Sequence, residues 1–333
     1  MARRYDGGHL ESTGFPPLQP VAMQRLTLSV GIPQPFRNAV VALGNFDGFH
    51  LGHQAVVGRA VQRARAEGRP ALVATFDPHP VRFFKPDAPP FRLTTLDQRE
   101  ALFAAAGAGA MLVFGFDAAL AATSAEDFVR LLRHEIGAAV VVTGEDFTFG
   151  AKRGGNARVL RALGAVHGME AEAVGPVALG DEPVSSSRIR DALAAGDPGT
   201  ATRLLTRPFA VRGTVQHGDK RGRELGYPTA NVALGDYQRP AYGIYAVRVR
   251  LADGSEHDGV ASLGVRPTFT PPVELLETYL FDWSGDLYGQ EIEVALHHFL
   301  RPEARYDGLQ PLIAQMRKDE AEARRLLSPS SRA

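Results

Sequence analysis

The feature that most constrains the fold is a change in the spacing of apolar residues near residue 185. Before that point, short continuous apolar runs such as Ala39–Leu43 alternate with helical patterns. Such a run is typical of a strand covered on both faces, and its alternation with helices predicts a parallel, doubly wound sheet. After residue 208 the apolar residues recur with period two, as in Tyr245, Val247 and Val249, which predicts an antiparallel sheet or barrel. We therefore expect two domains of different fold class.

The length of 333 residues suits two domains better than one. We predict a disordered extension over 1–22, because that stretch is rich in Gly, Pro and Ser and has no periodicity. A first domain over 23–196, a linker over 197–207 and a second domain over 208–333 follow. Met23 is an alternative start of the chain. An amphipathic helix is expected near 308–327.

Composition restricts the classes of partner. Lys plus Arg and Asp plus Glu both number 37, so no overall positive field points to a nucleic acid. The absence of Cys excludes disulfides, thiolate catalysis and cysteine-bound zinc, and it fits a reducing cytoplasm. No apolar run approaches the roughly 20 residues that a membrane span needs. We expect a cytoplasmic monomer or weak homo-oligomer that binds small molecules, with no nucleic acid or membrane partner.

The first candidate site is the motif GNFDGFHLGH at 44–53, between the first buried strand and the next helix. Open α/β sheets bind ligands at the carboxyl ends of their strands, and a helix N-terminus offers N–H groups to a phosphate. His50 and His53 lie on one helical turn, so both imidazoles can donate hydrogen bonds to one anion. The alternative is an Asn/Asp/Gly turn with incidental histidines.

The second candidate site lies at 213–231, where four glycines are interspersed with Lys220, Arg221 and Arg223 before PTAN at 228–231. Backbone N–H groups of a Gly-rich loop can form an anion-binding nest. The loop is not a Walker loop, since no Gly-Lys-Ser/Thr begins a helix there. Taken alone, the segment also fits a mobile surface loop.

Other segments occur in a fixed order around these two motifs: TFDPHP at 75–80, GEDFTFGAKRGG at 144–155, VSSSRIR at 184–190, LETYL at 276–280 and LRPE at 300–303. In this order, the chain resembles the bacterial bifunctional riboflavin kinase/FMN adenylyltransferase family, also called FAD synthetase, from about residue 25 to 328. The third serine of VSSSRIR replaces the threonine usual in that family.

For the first half, the resemblance implies a Rossmann-like nucleotidyltransferase domain that joins FMN to the AMP of ATP. His50, His53 and Arg190 would stabilise the transferring phosphate. The implied flavin-binding residues are Asp146, Phe147 and Arg153. The implied ATP-binding residues are Gly44, Phe46, Asp47, Gly48, His50, His53, Ser185, Ser186, Ser187 and Arg190.

For the second half, the resemblance implies an antiparallel β-barrel riboflavin kinase domain with a terminal helix, which uses ATP to convert riboflavin to FMN. Glu277 would be the base, although a solvated strand glutamate is the commoner case. Glu277 and Arg301 would both bind the flavin. Thr229 and Asn231 would hold Mg²⁺. The implied ATP-binding residues are Gly213, Gly218, Lys220, Gly222, Thr229 and Asn231.

Two positions depart from the family pattern. Ser262 stands where asparagine is common, and Thr206 stands where glycine is often seen. We expect neither to touch the residues assigned to chemistry. Two other functions stay open: an adenylyltransferase of the same superfamily acting on pantetheine phosphate or nicotinate mononucleotide, and a flavin-binding or regulatory protein with degenerate sites.

Overall fold

The computed structural model describes residues 23–217, 227–266 and 273–328. By their internal contacts these residues form two compact units. The first contains residues up to 89 and 94–185, and the second contains 90–93 and the chain from 186 onward. The division coincides with the change in apolar spacing near residue 185. No helix in these described ranges is both long and apolar enough to cross a membrane.

The first unit contains a six-stranded sheet in which every pairing is parallel. Its strands are β1 (Gln24–Thr27), β2 (Ala39–Leu43), β3 (Ala71–Asp77), β4 (Ala110–Gly115), β5 (Ala138–Gly144) and, after two short strands, β8 (Glu170–Val174). Their order is β1-β4-β3-β2-β5-β8. The short pairs are β6 (Thr148–Phe149) with β7 (Gly155–Asn156), and β9 (Ala178–Leu179) with β10 (Glu182–Pro183). The predicted parallel, doubly wound sheet is confirmed.

Six α-helices connect these strands: α1 (Leu51–Glu67), α2 (Pro80–Phe84), α3 (Leu96–Ala105), α4 (Ala118–Ala122), α5 (Ala125–Arg130) and α6 (Ala157–Val166). Gly68 ends α1 in the left-handed conformation, at φ 62°, as the sequence predicts. The spacing of Phe128, Leu132 and Ile136 predicts a helix over 125–136, which is α-helical only to Arg130 and continues as a π-helical turn. The residues at 26–30 predict a short first strand, but β1 ends at Thr27 and a 3₁₀ turn follows it.

Apolar side chains cover both faces of this sheet. Val41 and Leu43 pack into one core cluster, and Val40 and Ala42 pack into the other. This alternation explains why β2 is a continuous apolar run, because burying each such Val or Leu side chain contributes about 1.5–3 kcal/mol.

The second unit contains an antiparallel six-stranded sheet. Its strands are β11 (Phe209–Thr214), β12 (Ala230–Ala233), β13 (Gly243–Arg250), β14 (Glu256–Arg266), β15 (Val273–Leu280) and β16 (Glu291–Arg301). Their order is β11-β16-β13-β14-β15-β12, and a bridge between Gln216 and Asn231 joins its two ends into a nearly closed barrel. Val211, Val232, Leu263, Leu276 and Val294 fill the interior and are at most 1% exposed. The predicted antiparallel barrel is confirmed.

Among the described residues of this unit, three helices accompany the barrel: α7 (Ser186–Ala194), α8 (Pro198–Leu205) and α9 (Leu309–Leu327). Residues 197–207, expected to be a linker, thus contain α8, whose Ala201, Leu204 and Leu205 are buried. Helix α7, assigned to the first domain from sequence, groups with the second unit. Helix α9 agrees with the predicted terminal helix, and its Ala323 and Leu327 pack on the outer face of the barrel.

Candidate active sites

The motif at 44–53 follows β2 at the point where the strand order of the first sheet reverses. Strands β3 and β4 lie on one side of β2, and β5 and β8 lie on the other. The crevice at such a switch point is where open α/β sheets bind ligands. The loop that follows β5, with Asp146 and Phe147, begins at the same edge, because Ala42 pairs with Val142. The sheet topology therefore brings two predicted loops together.

The backbone of the first loop is held in an unusual conformation. Phe46, Gly48 and Phe49 all have positive φ, at 51°, 84° and 46°. For a bulky residue this conformation is strained, and such strain often accompanies functional sites. Asp47 is buried and its carboxylate accepts a hydrogen bond from the Thr94 amide at 3.0 Å. Since the Gly48 amide donates to Thr94 Oγ1 at 2.9 Å, Thr94 and Asp47 fix the turn.

His50 and His53 lie together at the start of α1. Their rings stack with centroids 3.6 Å apart, and the rings of Phe46 and His53 form an edge-to-face pair. His50 is the N-cap residue, and its Nδ1 accepts a hydrogen bond from the His53 amide at 3.4 Å. In the neutral ring this leaves Nε2 as the N–H donor. The geometry therefore provides two adjacent imidazoles at a helix N-terminus.

A buried arginine supports the same loop. Arg99 of α3 is 3% exposed and donates to the Asn45 carbonyl at 3.1 Å and to Thr75 Oγ1 at 2.8 Å. Thr75 Oγ1 in turn donates to the Asn45 carbonyl at 2.8 Å. Sequence reasoning missed this residue. The available signal was a charged residue between Leu96 and Phe103 on the apolar side of the helix.

The other residues predicted for the first site have varied environments. Asp146 is exposed, and Phe147 packs against the core and stacks on Phe149. Arg153 is exposed in a turn at φ 57°. Gly44 lies against the Phe46 ring, where a Cβ atom would approach it to 3.0 Å.

The division of the chain into two units falls within the serine–arginine element at 185–190. Ser185 belongs to the first unit, and Ser186, Ser187 and Arg190 belong to α7 in the second. The Arg190 side chain donates from Nε to the Phe91 carbonyl at 2.8 Å and lies 5.3 Å from the centre of the Phe91 ring.

An aromatic cluster that sequence reasoning also missed follows β3 and β4. Phe83 and Phe84 of α2 both contact Phe116, which in turn contacts Phe76 of β3. Phe84 is 64% exposed, which is unusual for so large an apolar ring. The consecutive phenylalanines after the Asp77-Pro78 turn were the available signal.

In the second unit, two predicted residues face each other across neighbouring strands. Asn231 of β12 is the direct partner of Glu277 of β15, so their side chains share the outer face of the barrel. Ser262 of β14 is the partner of Glu277 on its other side. The expectation that Ser262 stays away from the residues assigned to chemistry is therefore wrong.

Asn231 has the environment of an oxygen ligand. Its side chain is 6% exposed, and Oδ1 is buried without a hydrogen-bond partner. Buried amide oxygens in proteins normally have a partner, so this atom is suited to a ligand or cation. A hard oxygen donor of this kind fits Mg²⁺.

A cavity of about 310 Å³ opens beside Thr229. Val215, Leu280, Trp283 and Tyr288 contribute to its wall, and the His217 ring lies against Tyr288 with ring centroids 3.9 Å apart and the ring planes inclined at 32°. Its size and mainly apolar wall suit a small planar ligand.

Arg301 is engaged by the terminal helix. Its guanidinium binds the carboxylate of Asp319 with Nε–Oδ1 at 2.9 Å and Nη2–Oδ2 at 2.6 Å, and these contacts raise the arginine's pKa. Asp319 is 7% exposed and also accepts from the Gln315 amide at 2.9 Å. This pair fixes the direction of the Arg301 side chain.

Among the other residues predicted to bind ATP in the second unit, the structure describes Gly213, which does not lie on the Asn231 face. Gly213 lies in β11, where a Cβ atom would come within 2.7 Å of Val232 in the barrel interior. Its lack of a side chain permits the close approach of β11 and β12. Gly218, Lys220 and Gly222 lie outside the described residues.

Comparison with known proteins gives a consistent result for both halves. The FAD synthetase family model matches residues 32–188, and the riboflavin kinase model matches residues 205–327. The bifunctional riboflavin kinase/FMN adenylyltransferase of Pseudomonas fluorescens is 41% identical over 297 residues, or 89% of this chain and 95% of that protein. The Escherichia coli K12 protein of the same description is 37% identical over 291 residues, or 87% of this chain and 93% of that protein.

A solved structure is similar over nearly the same extent. It is a crystal structure described as a macrolide-efflux protein from Streptococcus pneumoniae, with a TM-score of 0.82 and 30% identity. The similarity covers 91% of this chain and 99% of that one. Together, the two family models and the near-full-length relatives show that this chain belongs to the bifunctional riboflavin kinase/FMN adenylyltransferase family.

Proposed function

We propose that each unit carries out one of the family's two reactions through the residues described above. The second unit phosphorylates riboflavin with ATP to give FMN, and the first joins FMN to the AMP of a second ATP, giving FAD and pyrophosphate. The observation that carries this proposal is the pairing of Asn231 with Glu277, which sets a buried amide oxygen beside a carboxylate. This pairing supports a phosphoryl-transfer site distinct from the histidine site of the first unit.

In the kinase reaction, the 5′-hydroxyl of the ribityl chain attacks the γ-phosphorus of ATP. The new bond joins the ribityl oxygen to phosphorus, the bond to the β-phosphate oxygen breaks, and ADP leaves. Glu277 accepts the hydroxyl proton, a role that requires its carboxylate to lie next to the attacking oxygen. Most of the acceleration then comes from positioning and electrostatic stabilisation.

We propose that Thr229 and Asn231 hold Mg²⁺ at this site. The orphaned Asn231 Oδ1 supports the assignment. When bound, the metal supplies positive charge beside the ATP phosphates. The cavity beside Thr229 is proposed to receive the nucleotide base between Leu280 and Tyr288.

In the adenylyl transfer, a phosphate oxygen of FMN attacks the α-phosphorus of ATP and pyrophosphate leaves. The attacking group is already an anion, so the step needs no general base. His50 and His53 donate hydrogen bonds to the phosphate oxygens, and the amides at the start of α1 add to the positive field. The family resemblance also implies contacts with the triphosphate, and these stay predictions for Ser185, Ser186, Ser187 and Arg190.

We propose that flavin binds the first unit near Asp146, Phe147, Arg153 and the exposed aromatic cluster. Phe84 offers a planar apolar surface after the carboxyl end of β3, on which the flavin ring can stack. A cytoplasmic location and a monomeric or weakly associating state are also proposals, the former from the Cys-free composition.

Incubation with riboflavin, ATP and MgCl₂, followed by chromatographic separation of the flavins, tests the proposed reactions. We expect FMN to appear first and FAD to follow, with pyrophosphate released only in the second step. FMN without FAD would refute the role of the first unit. Failure to form either product would favour the flavin-binding alternative, and adenylylation of pantetheine phosphate or nicotinate mononucleotide would favour the other one.

A further inference from the structure

Five residues form one cross-strand row on the outer face of the barrel. From β12 to β16 the register pairs Asn231 with Glu277, Glu277 with Ser262, Ser262 with Ile244, and Ile244 with Arg301. Directly paired residues share a face of the sheet. The contact of Arg301 with Asp319 of α9 agrees, because α9 packs on the outer face. The sequence analysis assigned site roles to Asn231, Glu277 and Arg301 but not to Ser262 or Ile244.

The row forms the floor of a groove, which we define by Glu277, Ser262 and Ile244. On one side of it, Tyr279, Val260 and Ala246 occupy the neighbouring row and pack under α9. On the other side, the carboxylate of Glu303 covers Gly264, where a Cβ atom would approach Oε1 to 2.1 Å. Helix α9 covers one neighbouring row and Glu303 covers part of the other. Between them, Glu277, Ser262 and Ile244 are only partly buried.

The chemistry along the groove changes in a definite order. A carboxylate at Glu277 is followed by a hydroxyl at Ser262, an apolar side chain at Ile244 and a guanidinium at Arg301. Neighbouring strands are about 4.8 Å apart, so Glu277 and Arg301 are separated by roughly 14 Å at their backbones. Riboflavin has the matching order: a terminal hydroxyl, further chain hydroxyls, an apolar ring system and a polar carbonyl edge.

We infer that Ser262 is a specificity residue of the kinase reaction, whose hydroxyl hydrogen-bonds a ribityl hydroxyl other than the one that is phosphorylated. This inference rests on the proposed role of Glu277, since a 5′-hydroxyl at Glu277 places the middle of the chain one strand away, over Ser262. Ile244, one strand further, lies under the start of the ring. The groove thereby selects a flavin with a polyol side chain as the acceptor of the phosphoryl group.

The test compares two acceptors: riboflavin, and a flavin whose N10 side chain is 5-hydroxypentyl and so keeps only the terminal hydroxyl. Ser262→Ala is expected to raise KM for riboflavin about fivefold, or ~1 kcal/mol, with kcat within about twofold. The same substitution should leave KM for the hydroxypentyl flavin unchanged. Such a difference measures the interaction between the Ser262 hydroxyl and the ribityl hydroxyls separately from other effects of the substitution.

Two variants serve as controls. Ile244→Ala should raise KM for both flavins alike, since both carry the ring system. Ser255→Ala, in the turn between β13 and β14, should change neither. Thermal unfolding identifies any variant that fails to fold.

Equal effects of Ser262→Ala on both flavins would overturn the inference and assign Ser262 a structural role. No effect on either would overturn it too. Failure of the proposed kinase reaction itself has a separate signature, because wild-type protein would then form no FMN from riboflavin.

Discussion

Asn231 and Glu277 are direct partners across β12 and β15, and the buried Oδ1 atom of Asn231 has no protein hydrogen bond. The backbone of Asn231 is fixed on its other side, where its carbonyl accepts from the Gln216 amide at 2.9 Å. The backbone of Asn231 is therefore held in register with that of Glu277.

Asn231→Ala should weaken the use of Mg²⁺ in FMN formation. Loss of the oxygen ligand is expected to lower kcat at least tenfold, roughly the scale of disturbed metal sites, and to raise the Mg²⁺ concentration needed for half-maximal rate. FMN formation measured against MgCl₂ concentration gives both values. An unchanged Mg²⁺ dependence would contradict the metal assignment, and chelation by EDTA should stop the wild-type reaction.

His53→Ala and Glu277→Gln should separate the two activities. His53→Ala removes a donor from the phosphates of the first site, so FAD formation from FMN should fall by about 10²–10³ while FMN formation is retained. Glu277→Gln keeps the shape of the base but cannot take the proton. We therefore expect FMN formation to fall while FAD formation from FMN is retained. Each variant serves as the control for the other. If either lost both activities equally, the two-site assignment would not stand.

The buried arginine should matter for adenylyl transfer although it lies below the loop. Arg99→Met removes the donor to the Asn45 carbonyl while Thr75 continues to donate to it. We expect about 1–3 kcal/mol lower stability of the first unit and a fall in the rate of FAD formation. Arg158→Met, on the exposed side of α6, is the matched control. A stability loss with an unchanged rate of FAD formation would show that Arg99 does not position the loop.

The sequence predicts most of what depends on local periodicity and little of what depends on register. The continuous run at 39–43 and the glycine at 68 identify β2 and the end of α1, because these signals are local. The position of Ser262 beside Glu277 arises from the register between β14 and β15, which pairs two residues 15 positions apart in the sequence and which no local pattern encodes.

Buried polar groups were equally difficult to anticipate. Arg99 and Thr94 belong to no phosphate-binding motif. They contact the loop after β2 only because the fold brings α3 and the residue before its N-cap close to that loop. Their side chains satisfy backbone groups of a strained turn, which is a tertiary requirement. The linker expected over 197–207 became helix α8 for a related reason, since its helical apolar side is buried.

Thr206→Gly should stabilise the second unit. Thr206 ends α8 in the left-handed conformation, at φ 63° and ψ 13°, and it is exposed. A β-branched residue costs about 1–2 kcal/mol there, whereas glycine costs only about 0.5–1 kcal/mol of additional chain entropy. We expect a gain of about 0.5–1 kcal/mol, measured by denaturant unfolding. Thr206→Ala keeps the Cβ atom and should gain less, and equal gains from both variants would rule out backbone strain as the cause.

Tyr245→Phe should remove part of the alkaline sensitivity of the second unit. Tyr245 is 1% exposed, and burial raises the pKa of its phenol well above the usual value near 10. The folded state therefore holds this proton at a pH where the unfolded state has released it. The stability that it contributes is complete below about pH 10 and declines as the pH rises above that value.

Near neutral pH the wild type should be more stable than Tyr245→Phe by about 1 kcal/mol, because the hydroxyl donates to the Ala241 carbonyl at 2.5 Å. Above about pH 10 this difference should shrink and then reverse, since only the wild type must keep a buried phenol protonated. Urea unfolding of both proteins from pH 7 to 11 measures the difference directly. A difference that stays constant over that range would mean that the Tyr245 phenol titrates alike in the folded and unfolded states.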